Sequence, residues 1–594
     1  MSDYLVRGTL AEVDPAVAEL IEHEHARQFS KLIFIASEST APSAIREAEG
    51  SIFRNLYAEG YPHESMRTQT EAQILDYDYQ LPFYRRNGDR RYYKGVEYCN
   101  VVEALAQRRG AEAFCPPGMT PDQLYVNVQP LSGAAGNTAV YEALAQPGET
   151  VLSLDLLHGG HLSHGSPVNI TGHRQKVVHY HVNQETELLD YEEIYELAQR
   201  EKPRMIIAGY TSYPWAPDFK KFREIADSVG AYLLADIAHT AGLAVAGAYP
   251  NPVGIAHVTS FTTHKTLAGP RGACIITTDP EIAKKIDRAV FPGLQGGPHV
   301  MKIAAMATMF KIAMTPQFKE MQFQTVKNAQ AMAKGFTDNG VRVVHGGTNT
   351  HMLLIDCKSI AQHNGVPLMG NVSSRILDMA DIVCNRNTIP GDPDASKPSA
   401  LRFGVPWVTQ RGLKEADLTE VASVIAMVLK SAKPYMIQMK KSQAYTARVD
   451  YDALMEGVRR ISKLTAKAGV DARVTPDVYP HVWHMVDSKV GAAAGKAQIT
   501  ISGKAAADYL AVVLGADVSA LEAGASMECK VLGKNRVPIC EASVTKNGEG
   551  YKLAVPRANA IHVLQWLRAL SDGYVIFDEN DLTLNMPGPV AVKA

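Results

Sequence analysis

The sequence predicts an α/β fold, with a mostly parallel central sheet, a smaller α+β domain and an extra C-terminal α+β module. Three observations predict it. From about residue 120 to 300, short apolar or β-branched runs alternate with helical patterns: TVLSLD, KVVHYHV, RMIIAGY, AYLLADIAH, HVTSFTTHK and ACIITT. Runs that are apolar on both faces belong to strands covered by helices on either side. Between them, EEIYELAQREK and FKKFREIADSVG space their apolar residues helically and end near Pro or Gly, as crossover helices do. Finally, the texture changes after about residue 445, where a Lys/Arg-containing helix leads into a new set of alternating strands.

Taken in order, residues 1–30 read as an N-terminal arm and 31–300 as the large domain. Within that domain, 63–90 (HESMRTQTEAQILDYDYQLPFYRRNGDR) are dense in charge and tyrosine and read as a surface insertion. Residues 301–445 set long helical stretches around strands at VRVVHG and HMLLID, with a Pro/Asp/Ser-rich loop at NRNTIPGDPDASKPS. A linker helix is expected over 446–469, and a module over 470–594 with strands at KAQITISG, SMECKVLG, VPICEASV and YKLAVP and two helices between them. No solenoid repeat or low-complexity tract interrupts this plan.

The 594 residues suffice for about three or four domains of roughly 100–200 each. Lys plus Arg is 60 against 62 Asp plus Glu, a formal charge of −2, so there is no basic excess to grip a nucleic acid. The seven cysteines are scattered without a Cys-x-x-Cys, which suits free thiols in a reducing compartment. The opening MSDYLVRGTLAEVDPAVAEL lacks the apolar run of a signal peptide, and no stretch is apolar enough to span a bilayer. A cytoplasmic protein without membrane contact is expected.

The chemistry concentrates in HVTSFTTHKTLAGPRG, where a β-branched run ends at His264 and Lys265. A lone lysine means little, because lysines react only when desolvated or placed beside a cation. Its companion is Asp236, which closes the apolar run AYLLADIAH three residues before His239. An acid closing a buried strand needs a cationic partner or hydrogen-bond donors. The carboxyl ends of parallel strands converge on one crevice, so Asp236 and Lys265 are placed to face one ligand. A strand-end acid for a pyridinium nitrogen and a lysine for an aldehyde are the equipment of a pyridoxal-phosphate enzyme. LSGAAGNTAVYEAL adds an anion cradle, with Ser132, Gly133, Ala134 and Ala135 where a loop enters a helix.

His158, His161 and His164 recur every third residue in LHGGHLSHGSP. A metal site would need carboxylate or cysteine ligands that are not nearby. The spacing instead reads as a loop that uses Gly159 and Gly160 to approach a flat ring, with His158 stacked on it. No metal is expected. His23 and His25 read as residues of a solvated helix, and the sequon at Asn169 as idle.

YAEGYP, RYYKGVEY, LHGGHLSHGSPVN, LLADIAHTAGL, TTHKTLAGPRG, FPGLQGGP and LRFGVPWVTQRG occur in that order. With them the chain resembles serine hydroxymethyltransferase over roughly residues 10–440. The resemblance implies a fold-type-I pyridoxal-phosphate transferase that interconverts serine and glycine with tetrahydrofolate as co-substrate. It implies Lys265 as the cofactor lysine, Asp236 as the partner of the pyridinium nitrogen, His158 as the stacking ring, and Thr211 and His239 as donors near the ring oxygen. Arg402 would clamp the amino-acid carboxylate, with Ser37 beside it. Glu59 would be the acid/base carboxylate, with Tyr57 and Tyr93 lining the site. Ser132, Gly133, Ala134, His264, Gly296 and Gly297 would meet the phosphate. In that family Tyr57, Glu59, Tyr93 and the paired glycines come from a neighbouring subunit, which implies a homodimer or homotetramer.

The chain departs from the pattern at Ser39, where the family has Asn, at Ala134, where it has Ser, at Leu294, where Gly is common, and at the insertion 63–90. That insertion keeps open a folate-independent aldolase acting on other β-hydroxy amino acids; a non-catalytic binding protein on this fold is the third alternative. From about residue 480, ITISGKAAADYL, LEAGASMECKVL and YKLAVPRANAIHVLQWL are similar to pieces of the glycine-cleavage aminomethyltransferase. A small packing or oligomerisation module is the competing reading of this tail.

Overall fold

The computed structural model describes residues 7–438, 443–469 and 495–594. A helix, α1 (Pro15–Ser30), leads in, and α2 (Glu97–Phe114) precedes the central sheet. Seven strands follow: β1 (Tyr125–Asn127), β2 (Thr150–Leu154), β3 (Lys176–Tyr180), β4 (Met205–Gly209), β5 (Tyr232–Asp236), β6 (Val258–Thr262) and β7 (Ala273–Thr277). Their order is β1-β7-β6-β5-β4-β2-β3, with β7 antiparallel to both neighbours and every other pair parallel. All six apolar runs read from the sequence are strands. β4 and β6 are buried along their whole length, because helices cover both faces.

The crossover helices form where local chemistry dictates. In α4 (Tyr191–Glu201) and α5 (Phe219–Val229), Asp190 and Asp218 accept hydrogen bonds from the first free backbone amides. α4 turns Ile194 and Leu197 inward, and α5 turns in Phe222 and Ile225. A further helix, α3 (Gly133–Leu144), starts at Ser132, whose Oγ accepts from the Ala135 amide at 3.3 Å. The insertion folds into short helices that dock on α2, burying Met66 and Ile74 against Val101 and Ala104.

The helices α6 (Val300–Ala313) and α7 (Pro316–Asp338) lead into the small domain. There β8 (Met352–Asp356), β9 (Asn385–Asn387) and β10 (Ala400–Gly404) form an antiparallel sheet in the order β8-β10-β9, backed by α8 (Glu415–Lys430). HMLLID is the expected strand, but VRVVHG is not. Only Val343 bridges Ile355; the chain then turns at Val344–Gly346, where His345, Gly346 and Gly347 all take positive φ and end the extended run.

A hairpin, β11 (Lys433–Gln438) and β12 (Gln443–Arg448), leads to α9 (Tyr451–Lys467). The sequence reading made 446–469 a linker, yet α9 buries Leu454, Val458 and Ile461 in the small-domain core, and Arg460 pairs with Glu420 of α8 at 2.6 Å. The last unit holds β13 (Lys496–Ser502), α10 (Ala506–Leu514), β14 (Ser526–Leu532), β15 (Pro538–Asn547), β16 (Gly550–Pro556), α11 (Ala560–Asp572) and a short β17 (Ala591–Lys593). Its antiparallel sheet runs β14-β15-β16-β13-β17. Residues 470–494 of the expected module lie outside the described residues. The unit shares one apolar core with the small domain, from Phe34 and Phe403 through Leu454 to Trp566. Trp566 meets the Tyr451 ring edge-on at 4.9 Å, and Arg448 donates to the carbonyls of Gly573, Leu582 and Leu584. No helix among the described residues is long and apolar enough to cross a membrane.

Candidate active site

A chamber of about 270 Å³ opens where the carboxyl ends of β4, β5 and β6 meet the start of α3. Thr211 follows β4, Asp236 ends β5, His264 and Lys265 follow β6, and Ser132, Gly133 and Ala134 begin α3; all line the chamber. This is the crevice that parallel topology creates. At Gly133 a Cβ would lie 2.7 Å from Thr262 Cγ2, so only glycine lets α3 approach β6 this closely.

Asp236 accepts three hydrogen bonds. Its Oδ1 accepts from the Ala238 amide at 2.9 Å, while Oδ2 accepts from Asn137 Nδ2 at 2.8 Å and His164 Nε2 at 2.9 Å. Burial opposes its ionisation, but the His164 hydrogen bond, the neighbouring imidazoles and Asn137 outweigh it and hold the carboxyl well below its usual range. Lys265 is buried, and its Nζ has no hydrogen-bond partner among the described residues. Burial brings its pKa down to about 8, with Asp236 opposing and Arg402 and Arg271 reinforcing the shift. Burial, helped by Arg271, lowers His264 to about 3, and its Nδ1 is buried without a partner. His239 is kept neutral by burial and by the nearby Lys265 charge, and its ring stacks on His351 at 5.5 Å.

The histidine loop corrects the sequence reading. His158 does not line the chamber: its ring packs against His181 at 4.9 Å, and its Nδ1 accepts from the Val182 amide at 3.3 Å. The chain reverses at Gly159 (φ 111°) and passes so close to β2 that a Cβ at Gly160 would sit 2.1 Å from the Leu154 carbonyl oxygen. That reversal carries His161 and His164 inward instead. Burial, reinforced by His164, lowers His161 to about 4, so it presents a neutral ring.

Arg402 lies on β10 of the small domain, buried beside the chamber. Its Nη1 donates to the Thr211 carbonyl at 2.6 Å and its Nε to Asn385 Oδ1 at 3.1 Å. Ser37 lines a neighbouring groove of about 980 Å³, which meets the chamber at His264 and Arg271.

The remaining predicted residues gather elsewhere. Tyr57, Glu59, Tyr93, Gly296 and Gly297 line no part of the chamber in their own chain. The Tyr57 and Tyr93 rings lie 5.7 Å apart, and a hydrogen bond to Glu59 raises the Tyr93 hydroxyl. A Cβ at Gly297 would meet the Tyr57 ring at 2.8 Å, and one at Gly296 would meet Glu59 Oε1 at 3.2 Å. Beneath them, the buried Arg91 pairs with Glu103 at 2.6 Å and donates to the carbonyls flanking Glu59, those of Ala58 at 2.5 Å and Gly60 at 3.1 Å. The cluster is therefore built on a rigid support yet presents Tyr57 and Tyr93 to solvent, 63% and 42% exposed.

A model of the serine hydroxymethyltransferase family matches residues 10–85 and 84–425. The chain belongs to this family. It is 43% identical over 442 residues to a serine hydroxymethyltransferase of Nostoc punctiforme, covering 74% of this chain and 94% of the relative. A serine hydroxymethyltransferase of Synechococcus sp. is 44% identical over 424 residues (70% and 90%), and one of Cyanothece sp. is 41% identical over 457 (77% and 98%). The family match ends at residue 425, before the β11–β12 hairpin and everything after it.

Serine hydroxymethyltransferases use pyridoxal phosphate, with tetrahydrofolate as co-substrate. The chamber fits that cofactor. It holds an unpartnered buried amine at Lys265, an ionised carboxylate at Asp236, the free amides of α3 and the orphaned Nδ1 of His264. Asn137, His161 and His164 line the chamber without being among the site residues expected from the sequence. The signal for the histidines was the three-residue spacing itself, and for Asn137 its place four residues after Gly133, one turn along α3. Among the described residues no group of three or more His, Cys, Asp or Glu side chains is arranged to hold a metal ion.

Proposed function

We propose that this chain interconverts serine and glycine, passing the one-carbon unit to tetrahydrofolate, in the chamber between Asp236 and Lys265. The observation that carries this is the meeting of those two side chains, from successive strand ends, in one buried chamber of a family member. Pyridoxal phosphate, when bound, supplies an electron sink for negative charge at the substrate Cα. Lys265 is the residue for its aldehyde, and Asp236 keeps a proton on its ring nitrogen. Ser132, Gly133 and the amides of α3 hold its phosphate, as helix N-termini do. The neutral rings of His161 and His239 and the Thr211 hydroxyl orient it without adding charge. Arg402 spends Nη1 and Nε on the protein and keeps Nη2 for the amino-acid carboxylate.

Glu59 moves the proton at the substrate hydroxyl, and it does so from a second copy of the chain. Its cluster is exposed and lies outside its own chamber, while the groove beside Ser37 opens toward His264 and Arg271. A homodimer, alone or within a homotetramer, thus completes the site. Residues 63–90, which keep a folate-independent aldolase open, line no part of the chamber in their own chain and lie between Glu59 and Tyr93, the residues assigned to the second copy's site. The seven free cysteines suit a reducing cytoplasm. Residues 496–594 act as a packing module of the small domain, since the two share one core.

A mixing experiment tests the shared site. Lys265→Ala and Glu59→Gln homodimers are each inactive in serine cleavage with tetrahydrofolate. Dissociated and reassociated together, they recover about a quarter of wild-type activity, because half the dimers carry one intact site of two. Absence of recovery overturns the shared site; activity in Lys265→Ala alone overturns the mechanism.

A further inference from the structure

The small domain is fastened to the large one at a point that the reaction does not use. Between β3 and α4 the chain makes a tight loop closed by a Val182–Leu189 bridge, and at its tip Glu187 takes a left-handed φ of 58°. Facing it from the small domain is His345, also left-handed at φ 62°. Neither is glycine, and non-glycine residues hold this conformation only where surrounding contacts over-determine it.

Those contacts are specific. Glu187 Oε1 pairs with Arg342 Nη2 at 2.5 Å, and Oε2 accepts from the His345 amide at 2.7 Å. The Glu187 carbonyl lies 2.6 Å from His345 Nδ1, so this nitrogen carries the ring proton and donates it. The His345 carbonyl in turn accepts from Trp215 Nε1 at 2.9 Å, and its ring meets Tyr213 edge-on at 5.4 Å. Asn349 continues the seam by accepting from the Ala216 amide at 2.8 Å, and Thr348 by donating to the Pro214 carbonyl at 3.0 Å.

Two routes lead from this seam to Arg402. The segment 211–216, which the seam grips, carries the Thr211 carbonyl that accepts from Arg402 and the Ser212 Oγ that accepts from Asn387 at 3.2 Å. Arg342 also pairs with Asp356 at 3.2 Å, at the end of β8, the strand whose Leu354 lies in register with Arg402. Both sides of the Arg402–Thr211 bond are thus set by the same contact.

We propose that Glu187, Arg342 and His345 form an interdomain clasp that positions Arg402 for the amino-acid carboxylate. They are positioning residues, and the proposal rests on the reading of Arg402 as the carboxylate clamp. Opening the clasp lets the small domain shift and weakens amino-acid binding more than cofactor binding, because the chamber is lined by large-domain residues, of which Thr211 and His239 meet the small domain through Arg402 and His351.

Glu187→Gly is the cleanest variant, since glycine is at ease at positive φ and removes only the side-chain bonds. Arg342→Met opens the same contact from the other side, and Glu187→Gln keeps an acceptor for the His345 amide while losing the charge. The clasp predicts that Glu187→Gly and Arg342→Met raise the KM for serine roughly 2- to 30-fold with kcat and cofactor loading near wild type, with Glu187→Gln in between. Added to Arg402→Lys, neither gives its full further effect, because all act through one contact. An unchanged KM in Glu187→Gly, beside a raised KM in Arg402→Lys, overturns the clasp and leaves the clamp standing. A raised KM in Glu187→Gly beside an unchanged one in Arg402→Lys overturns the clamp, and with it the route proposed here. A fall in kcat at constant KM, or full additivity with Arg402→Lys, likewise overturns the clasp.

Discussion

Replacing Arg402 with lysine tests how this chain recognises the amino-acid carboxylate. Arg402 is buried on β10 and satisfies two protein acceptors, the Thr211 carbonyl at 2.6 Å and Asn385 Oδ1 at 3.1 Å. Its guanidinium reaches both and leaves Nη2 without a hydrogen bond to the described residues, because the donors are fixed in one plane. Burial lowers its pKa to about 10, so it stays charged at neutral pH. A lysine ammonium keeps the charge but not the fork, and must choose between the Thr211 carbonyl and the ligand. One hydrogen bond between charged groups is thereby lost, worth about 1.5–3 kcal/mol, which is roughly a 10- to 150-fold rise in KM for serine and glycine. Steady-state kinetics on cofactor-loaded enzyme reads this directly. Wild-type KM values for both amino acids would refute the reasoning and place the carboxylate elsewhere.

Three further outcomes follow from the same structure. Burial lowers Lys265 to about 8 in the folded chain against 10.5 for a solvated lysine, so between these values the unfolded chain holds a proton that the folded chain has released, and this group's contribution to stability rises with pH across that window. The same shift makes the free amine dominant above about 8, so cofactor uptake by the apoprotein should accelerate with a midpoint there; a midpoint near 10.5 contradicts the burial effect. Trp566→Ala removes a fully buried ring whose Nε1 donates to the Leu532 carbonyl at 2.9 Å and should cost about 3–5 kcal/mol of stability in denaturant unfolding, with cofactor loading retained because the chamber sits in a different core. An unchanged unfolding midpoint would show that the C-terminal unit does not brace the small domain.

The sheet was legible because its strands are apolar on both faces and bounded by turn residues, a pattern set by local burial. The shared placement of Asp236 and Lys265 was legible for the same reason: Asp236 ends one such strand, Lys265 lies just past the next, and parallel topology brings strand ends together. The histidine loop was not, because a three-residue spacing does not say which ring turns inward; the reversal at Gly159 decides it, and that depends on the fit of Gly160 against Leu154. VRVVHG has strand composition, but after the single bridge at Val343 the chain turns at Val344–Gly346. The helix α9 read as a linker because its partners, Glu420 on α8 and Trp566 beyond it, are distant in sequence. Glu187 carries no sequence signal at all, since a charged residue at a loop tip looks like solvated surface until the small domain is placed against it.

The claim beneath all of this is that the amine on the segment after β6 meets the cofactor opposite the carboxylate that ends β5. Borohydride reduction of the purified, cofactor-loaded protein, followed by peptide mass spectrometry, tests it most directly. The account predicts a single phosphopyridoxyl adduct, on Lys265, absent from Lys265→Ala and diminished in Asp236→Ala. An adduct on any other lysine, or one that survives Lys265→Ala unchanged, would contradict it.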